Sequence, residues 1–192
     1  MRKVGLFFGS FNPVHVGHMV IATWAVEMSD LQEVWFVVSP HNPLKKKETL
    51  LNGRQRLEMV RLAIGDDDRF RASDIEFGLS QPSYTAHTLV HLQERHPQLE
   101  FTLLMGGDNL ASFHKWKNYE AILAGHRIMV YSRPEEGELP LLEHLNVTLL
   151  VAPALHISSS LIRKLVKDGH DARHLMPMAA WKFMDEMNFY KG

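Results

Sequence analysis

The sequence predicts an α/β fold: a doubly wound, mostly parallel sheet with a small helical addition at the C-terminus. Three observations predict it. Continuous apolar runs of strand length alternate with segments of helical spacing, and the runs end in Gly- or Pro-rich polar loops. No repeat period and no low-complexity linker divides the 192 residues. One domain spanning 1–192 is expected, long enough to bury a core without disulfide or metal.

The first element carries most of the information. Val4-Gly5-Leu6-Phe7-Phe8 reads as a buried strand that breaks at Gly9; Asn12-Pro13 then turns the chain, and an apolar helix begins near Val16 and runs to Met28. A strand, a turn and a helix in this order present the first N–H groups and the dipole of the helix to an anion. His15 and His18 fall on one side of that first turn, with Gly17 between them, where a side chain would crowd a phosphate or ribose. Both rings can donate to polyphosphate oxygens where charge builds during displacement at phosphorus. A lone H-x-x-H would be two incidental histidines in a structural loop; the strand, the glycine turn, Pro13 and the apolar helix around this one make it a nucleotide site.

Val34-Trp35-Phe36-Val37-Val38 has the continuous apolarity of a parallel strand covered on both faces. Ser39-Pro40-His41-Asn42-Pro43 ends it and opens a loop carrying Lys45, Lys46 and Lys47, at the strand end where open α/β sheets bind ligands. The lysines are either a solvated run or triphosphate ligands. Asn52-Gly53 starts a helix over Arg54–Ile64 that Gly65 and three aspartates stop. Phe70 to Phe77 reads as a strand or extended segment. Ser83 is the expected N-cap of a helix running toward His96-Pro97. His87 and His91 have a zinc spacing on that helix, but without a third ligand they read as surface histidines.

Phe101–Met105 is a further strand, ending in Gly106-Gly107-Asp108-Asn109. The glycines allow close backbone approach by a ligand, and Asp108 can accept from ribose hydroxyls. Trp116, flanked by charges just beyond this loop, suits stacking on a flat heterocycle. Tyr119–Leu123 is a short helix closed by Gly125, Arg127–Tyr131 a strand, and 135–145 an uninformative acidic stretch. After a strand over Val147–Val151, His156-Ile157 leads to Ser158, Ser159 and Ser160, a second helix start with hydroxyls and N–H groups for an anion. Arg163 lies one turn on, within reach of the same phosphates. Gly169 closes this helix, Pro177 opens the last, and Trp181, Phe183, Met184 and Met187 give that helix its apolar face.

Composition narrows the chemistry. A net charge of −1 gives no general reason to expect nucleic acid or a membrane surface. The absence of cysteine removes disulfides, thiolate nucleophiles and Cys-ligated zinc, and is compatible with a reducing compartment. No signal peptide and no stretch approaching a membrane span are read, so a cytoplasmic protein is expected. Homo-oligomerisation is left open.

Gly9-Ser10-Phe11-Asn12-Pro13-x-His15-x-Gly17-His18 resembles the G-x-F-x-P-x-H-x-G-H signature of the H-x-G-H nucleotidyltransferase superfamily, whose fold is Rossmann-like. Ile157-Ser158-Ser159-Ser160-Leu161-Ile162-Arg163 resembles its second motif, I-S-S-T-x-I-R, with Ser160 keeping the hydroxyl of the usual Thr. Asp74-Ile75-Glu76, Ser83-Tyr84-Thr85-x-x-Thr88-Leu89, Gly106-Gly107-Asp108 with Phe113 and Trp116, and Pro177 with Asn188-Phe189-Tyr190 are similar to the bacterial nicotinate-nucleotide adenylyltransferases. The resemblance covers nearly the whole chain.

It implies transfer of AMP from ATP to nicotinate mononucleotide, with pyrophosphate released. His15, His18 and Arg163 would be catalytic, with His18 nearest the α-phosphate. ATP would meet Gly9, Ser10, Phe11, Gly17, Lys45, Gly106, Asp108, Ile157 and Ser158 to Ser160. The acceptor would meet Asn12, Ser83, Tyr84, Thr85, Trp116 and Lys117, the Trp stacking on the pyridine ring while Thr85 and N–H groups near Lys117 and Asn118 hold the carboxylate. Mg2+ would be held mainly by the ATP phosphates, without a protein metal site. The second-strand loop, Pro40 to Lys45, differs from the longer Pro-Pro-His-Lys-like segment of many members. Pantetheine-phosphate or glycerol-phosphate transferases share both motifs but not the Ser-Tyr-Thr and Gly-Gly-Asp … Trp segments. A non-catalytic nucleotide sensor would lose His18 or Arg163. A tRNA-charging enzyme would need anticodon-binding domains for which there is no room.

Overall fold

A computed structural model describes residues 1–40, 50–131, 139 and 141–191. The six strands are β1 (Arg2–Gly9), β2 (Glu33–Val38), β3 (Phe70–Ser73), β4 (Leu99–Gly106), β5 (Arg127–Tyr131) and β6 (Val147–Leu150). They form one sheet in the order β3-β2-β1-β4-β5-β6, and every neighbouring pair is parallel. The strand order reverses direction between β1 and β4, so the loops after these two strands diverge to opposite faces and leave a crevice at their carboxyl ends.

The helices are α1 (Val16–Glu27), α2 (Gly53–Ile64), α3 (Thr85–Arg95), α4 (Gly107–Ala111), α5 (Tyr119–Gly125), α6 (Ser159–Lys167) and α7 (Met178–Glu186). Strand alternation divides the core between the two faces of the sheet. Val34, Phe36 and Val38 of β2 pack with α1, α2, α6 and α7, while Trp35 and Val37 turn to the side of α3, α4 and α5. That double burial is why the strands read as unbroken apolar runs. None of the helices among the described residues is long and apolar enough to cross a membrane.

Several boundaries differ from the sequence reading. The sheet is wholly rather than mostly parallel. The segment from Phe70 is a strand only to Ser73; Ile75–Gly78 then winds into a 3-10 turn that buries Glu76. β6 stops at Leu150, and exposed Val151 instead offers its carbonyl to the Trp24 indole N–H at 2.8 Å. Tyr84, not Ser83, is the N-cap of α3. Asn52 caps α2, its side chain accepting the Arg54 N–H at 2.8 Å.

Candidate active site

The loop after β1 is shaped by its own aromatic residue. Phe11, with φ 43°, folds its ring under the strand end, against Phe7 and Phe36 and edge-on to the His18 ring at 5.0 Å. A Cβ on Gly9 would lie 2.8 Å from that ring, so the glycine admits Phe11 rather than a ligand. Phe11 is only 1% exposed. Its expected contact with ATP is therefore confined to its backbone.

His15 caps α1, and its backbone N–H donates to His18 Nδ1 at 3.1 Å. With Nδ1 accepting, a neutral His18 ring carries its proton on Nε2, the tautomer that donates to a phosphate oxygen. The two imidazoles are stacked, with centroids 3.6 Å apart. A Cβ on Gly17 would stand 3.0 Å from His15 Nδ1. Glycine at this position first makes room for the histidine ring itself.

The C-terminal motif meets this loop directly. The Ser159 hydroxyl donates to the Pro13 carbonyl at 2.8 Å, and Arg163 Nη1 donates to the Asn12 carbonyl at 2.7 Å. The three serine hydroxyls all have protein partners. Ser158 caps α6 by accepting the Leu161 N–H at 3.1 Å, Ser159 holds Pro13, and Ser160 accepts from Arg163 Nη2 at 3.2 Å. What the start of α6 offers an anion is the first-turn N–H groups that Ser158 does not cap. A cleft is walled by His15, Gly17 and His18 on one side, Ala152 to Leu155 and Ile157 on the other, with Tyr131 from the end of β5.

Asn12 is 4% exposed and its Oδ1 accepts from the Leu51 N–H at 3.2 Å and from the Tyr190 hydroxyl, so much of its expected role toward the acceptor is taken by the scaffold. Ser10 is bound into the same scaffold through its carbonyl, which accepts from Arg56. Arg56 is completely buried and also donates to the carbonyls of Leu51 at 2.9 Å, Ser39 at 2.8 Å and Pro40 at 2.8 Å. One guanidinium thus pins the chain after β1 to the chain after β2, and burial pulls its pKa below the ordinary arginine value.

A second group forms near the start of α3 and the end of α4. The Lys117 ammonium lies over the Tyr84 ring at 4.4 Å, which brings the Ser83-Tyr84-Thr85 segment beside the Trp116-Lys117 turn. Trp116 packs on buried Phe113 at 5.4 Å but stays partly exposed. Behind Thr85, the buried Thr88 hydroxyl donates to Glu76 Oε1 at 2.9 Å. A Cβ on Gly106 would lie 2.5 Å from Asp108 Oδ1, a clash that the exposed Asp108 side chain, in the first turn of α4, can relieve by turning away. None of Thr85, Asp108, Trp116 or Lys117 lines the cleft walled by the histidines. Lys45 and its two neighbouring lysines lie outside the described residues.

Arg56, Tyr131 and Tyr190 were not singled out for the site from sequence. Tyr131 ends a parallel strand, so the rule that ligands sit beyond carboxyl ends would have found it. Arg56 shares the helical face of Met59 and Val60, and only that spacing marks it as the buried arginine of α2.

The sequence profile of the cytidylyltransferase-like family matches residues 6–165. A protein of Flavobacterium psychrophilum named "Probable nicotinate-nucleotide adenylyltransferase" is 51% identical, with 98% of this chain and 99% of that one covered. One of the same name from Christiangramia forsetii is 50% identical over 99% of each chain. In fold, the chain matches Plasmodium falciparum nicotinic acid mononucleotide adenylyltransferase complexed with NaAD at a TM-score of 0.83, with 19% identity and coverage of 99% and 98%. The chain belongs to the cytidylyltransferase-like family and, within it, to the nicotinate-nucleotide adenylyltransferases.

Proposed function

We propose that residues 1–192 act as one nucleotidyltransferase unit that transfers AMP from ATP to nicotinate mononucleotide, yielding nicotinate adenine dinucleotide and pyrophosphate in NAD biosynthesis. The observation that carries this reading is the junction of the two motifs, Ser159 on Pro13 and Arg163 on Asn12, beside His15 and His18. A phosphate oxygen of the acceptor attacks the α-phosphorus in line; the new P–O bond forms as the bond to the bridging oxygen breaks and pyrophosphate leaves. The acceptor is already an anion, so no general base is needed. His18 Nε2 donates to the α-phosphate, and Arg163 with the N–H groups at the starts of α1 and α6 stabilises charge on the departing oxygens. Gly9, Ser10 and Phe11 contribute backbone, and Ile157 with the Ala152–Leu155 wall offers an apolar face to the base.

The acceptor reading rests on the second group. Trp116 stacks on the pyridine ring, while Thr85 and the N–H groups near Lys117 hold the nicotinate carboxylate. An amide there would set its NH₂ against those donors. Magnesium would enter with ATP. Among the described residues no three histidine, aspartate or glutamate side chains converge on a metal site, and magnesium commonly stays with phosphate oxygens and water.

The test is pyrophosphate release from ATP with nicotinate mononucleotide, its amide counterpart or phosphopantetheine as acceptor. The acid form is expected to win clearly; preference for phosphopantetheine refutes the assignment. His18→Ala should lower kcat by about 100-fold or more with little change in melting temperature, and an unchanged rate would remove His18 from the mechanism.

A further inference from the structure

Asn12 is a junction for three distant parts of the chain. Its Oδ1 accepts from Leu51 N–H, whose own carbonyl is held by Arg56, and from the hydroxyl of Tyr190. Its main-chain carbonyl carries Arg163. Three residues on lies His15. The tail that delivers Tyr190 leaves α7 through two non-glycine residues with positive φ, Asn188 at 54° and Tyr190 at 61°, between which buried Phe189 packs edge-on against Phe183 at 5.7 Å. Left-handed backbone at residues with a Cβ is disfavoured and persists only where surrounding contacts fix it. The tail is therefore shaped to bring this hydroxyl under the loop. Burial raises the Tyr190 pKa, and Arg163 and Arg56 only partly oppose it, so the group remains a donor at physiological pH.

We infer that Tyr190 is a positioning residue for adenylyl transfer. Its hydroxyl fixes the Asn12 side chain and, through Asn12, the carbonyl on which Arg163 rests. This rests on the functional reading given above. Tyr190 touches no reacting atom; it acts by holding the guanidinium and the histidine loop in one arrangement.

Tyr190→Phe keeps the ring and removes one donor. With ATP and nicotinate mononucleotide, kcat should fall about 10-fold while KM for the acceptor stays within about twofold, because a displaced Arg163 weakens charge stabilisation rather than acceptor binding. Arg163→Lys should be slower still, and adding Tyr190→Phe to it should cost less than about a further twofold, since both act through one junction. Leu99→Ala, which opens a cavity at the amino end of β4 in the core on the other face of the sheet from α7, is the stability comparison. It should lower the melting temperature at least as far as Tyr190→Phe yet leave kcat unchanged well below that temperature. Parental kcat in Tyr190→Phe, or multiplicative losses in the double variant, overturns the inference. An inactive parent enzyme would instead refute the functional reading, and the inference with it.

Discussion

Gly17 shows how two opposed effects meet in a single residue. A glycine in the first turn of α1 weakens the helix, and alanine would restore up to about 1 kcal/mol. Yet the added Cβ would stand 3.0 Å from His15 Nδ1, so the ring must shift by a few tenths of an ångström against its stack on His18. Gly17→Ala is therefore expected to melt at or above the parent temperature while kcat falls about 10-fold or more. Melting curves and steady-state rates on the same preparations check it; loss of stability without loss of rate would contradict it. The sequence pointed to this glycine but to a different obstacle, since the phosphate was expected to need the space that the histidine takes. The serines of the second motif carry the same lesson. Their presence was legible and two of their partners, Leu161 and Arg163, lie within the motif itself, while the bond from Ser159 to Pro13 depended on the path of a loop 146 residues away.

At the scale of elements, α3 depends on a buried pair. Thr88 is fully buried in the first turns of the helix and its hydroxyl satisfies the Glu76 carboxylate, itself 3% exposed, from the 3-10 turn after β3. Thr88→Val keeps the shape and leaves Glu76 short of a donor, a loss of about 1–3 kcal/mol. Urea denaturation should show that loss. If α3 carries Thr85 toward the acceptor, KM for nicotinate mononucleotide should rise while KM for ATP holds, and a parallel rise in both would argue against the division into two groups. Elements with continuous apolarity or strong caps were readable: β1, β2, β4, α1 and α2 fall where the runs and stop signals predict. The stretch from Phe70 to Tyr84 was not. Its 3-10 turn and the shift of the α3 cap from Ser83 to Tyr84 come from burying Glu76 and seating Thr88, which are tertiary demands invisible to local propensity.

For the whole molecule, the parallel sheet separates chemistry from cohesion. The carboxyl rim carries the cleft, whereas near the opposite rim Asp30 joins Lys3 of β1 and Arg127 of β5. Hydrogen bonds from Lys3, then Arg127, hold the Asp30 pKa at about 2 against an unperturbed 3.8. Because the folded value is the lower one, the stabilisation is present above the unperturbed pKa and is lost as pH falls through the folded one. Asp30 is nearly half exposed, so solvent screening limits the contribution to below about 1 kcal/mol. Asp30→Asn should lower stability by that order near neutral pH, less in about 0.5 M salt, and progressively less as pH falls through about 2, with kcat unaffected. Denaturation curves at several pH values would detect a contrary trend. The doubly wound architecture was legible because it follows from alternation, and the meeting of both motifs because the chain resembles a family that carries the two together. Arg56 and the Tyr190 contact were not, because a buried arginine and a returning tail look like surface residues until the chain closes.

The Asn12 junction gathers α2, α6 and the stretch beyond α7 onto one short turn. Such a centre is complete only once the most distant sequence has docked, so a polypeptide lacking its final helix would lose the Tyr190 contact together with the core residues Ala180 and Met184, and be unable to work. Partial fraying of the closing helices would likewise silence turnover before the strands separate, making catalytic competence a reporter of chain completion.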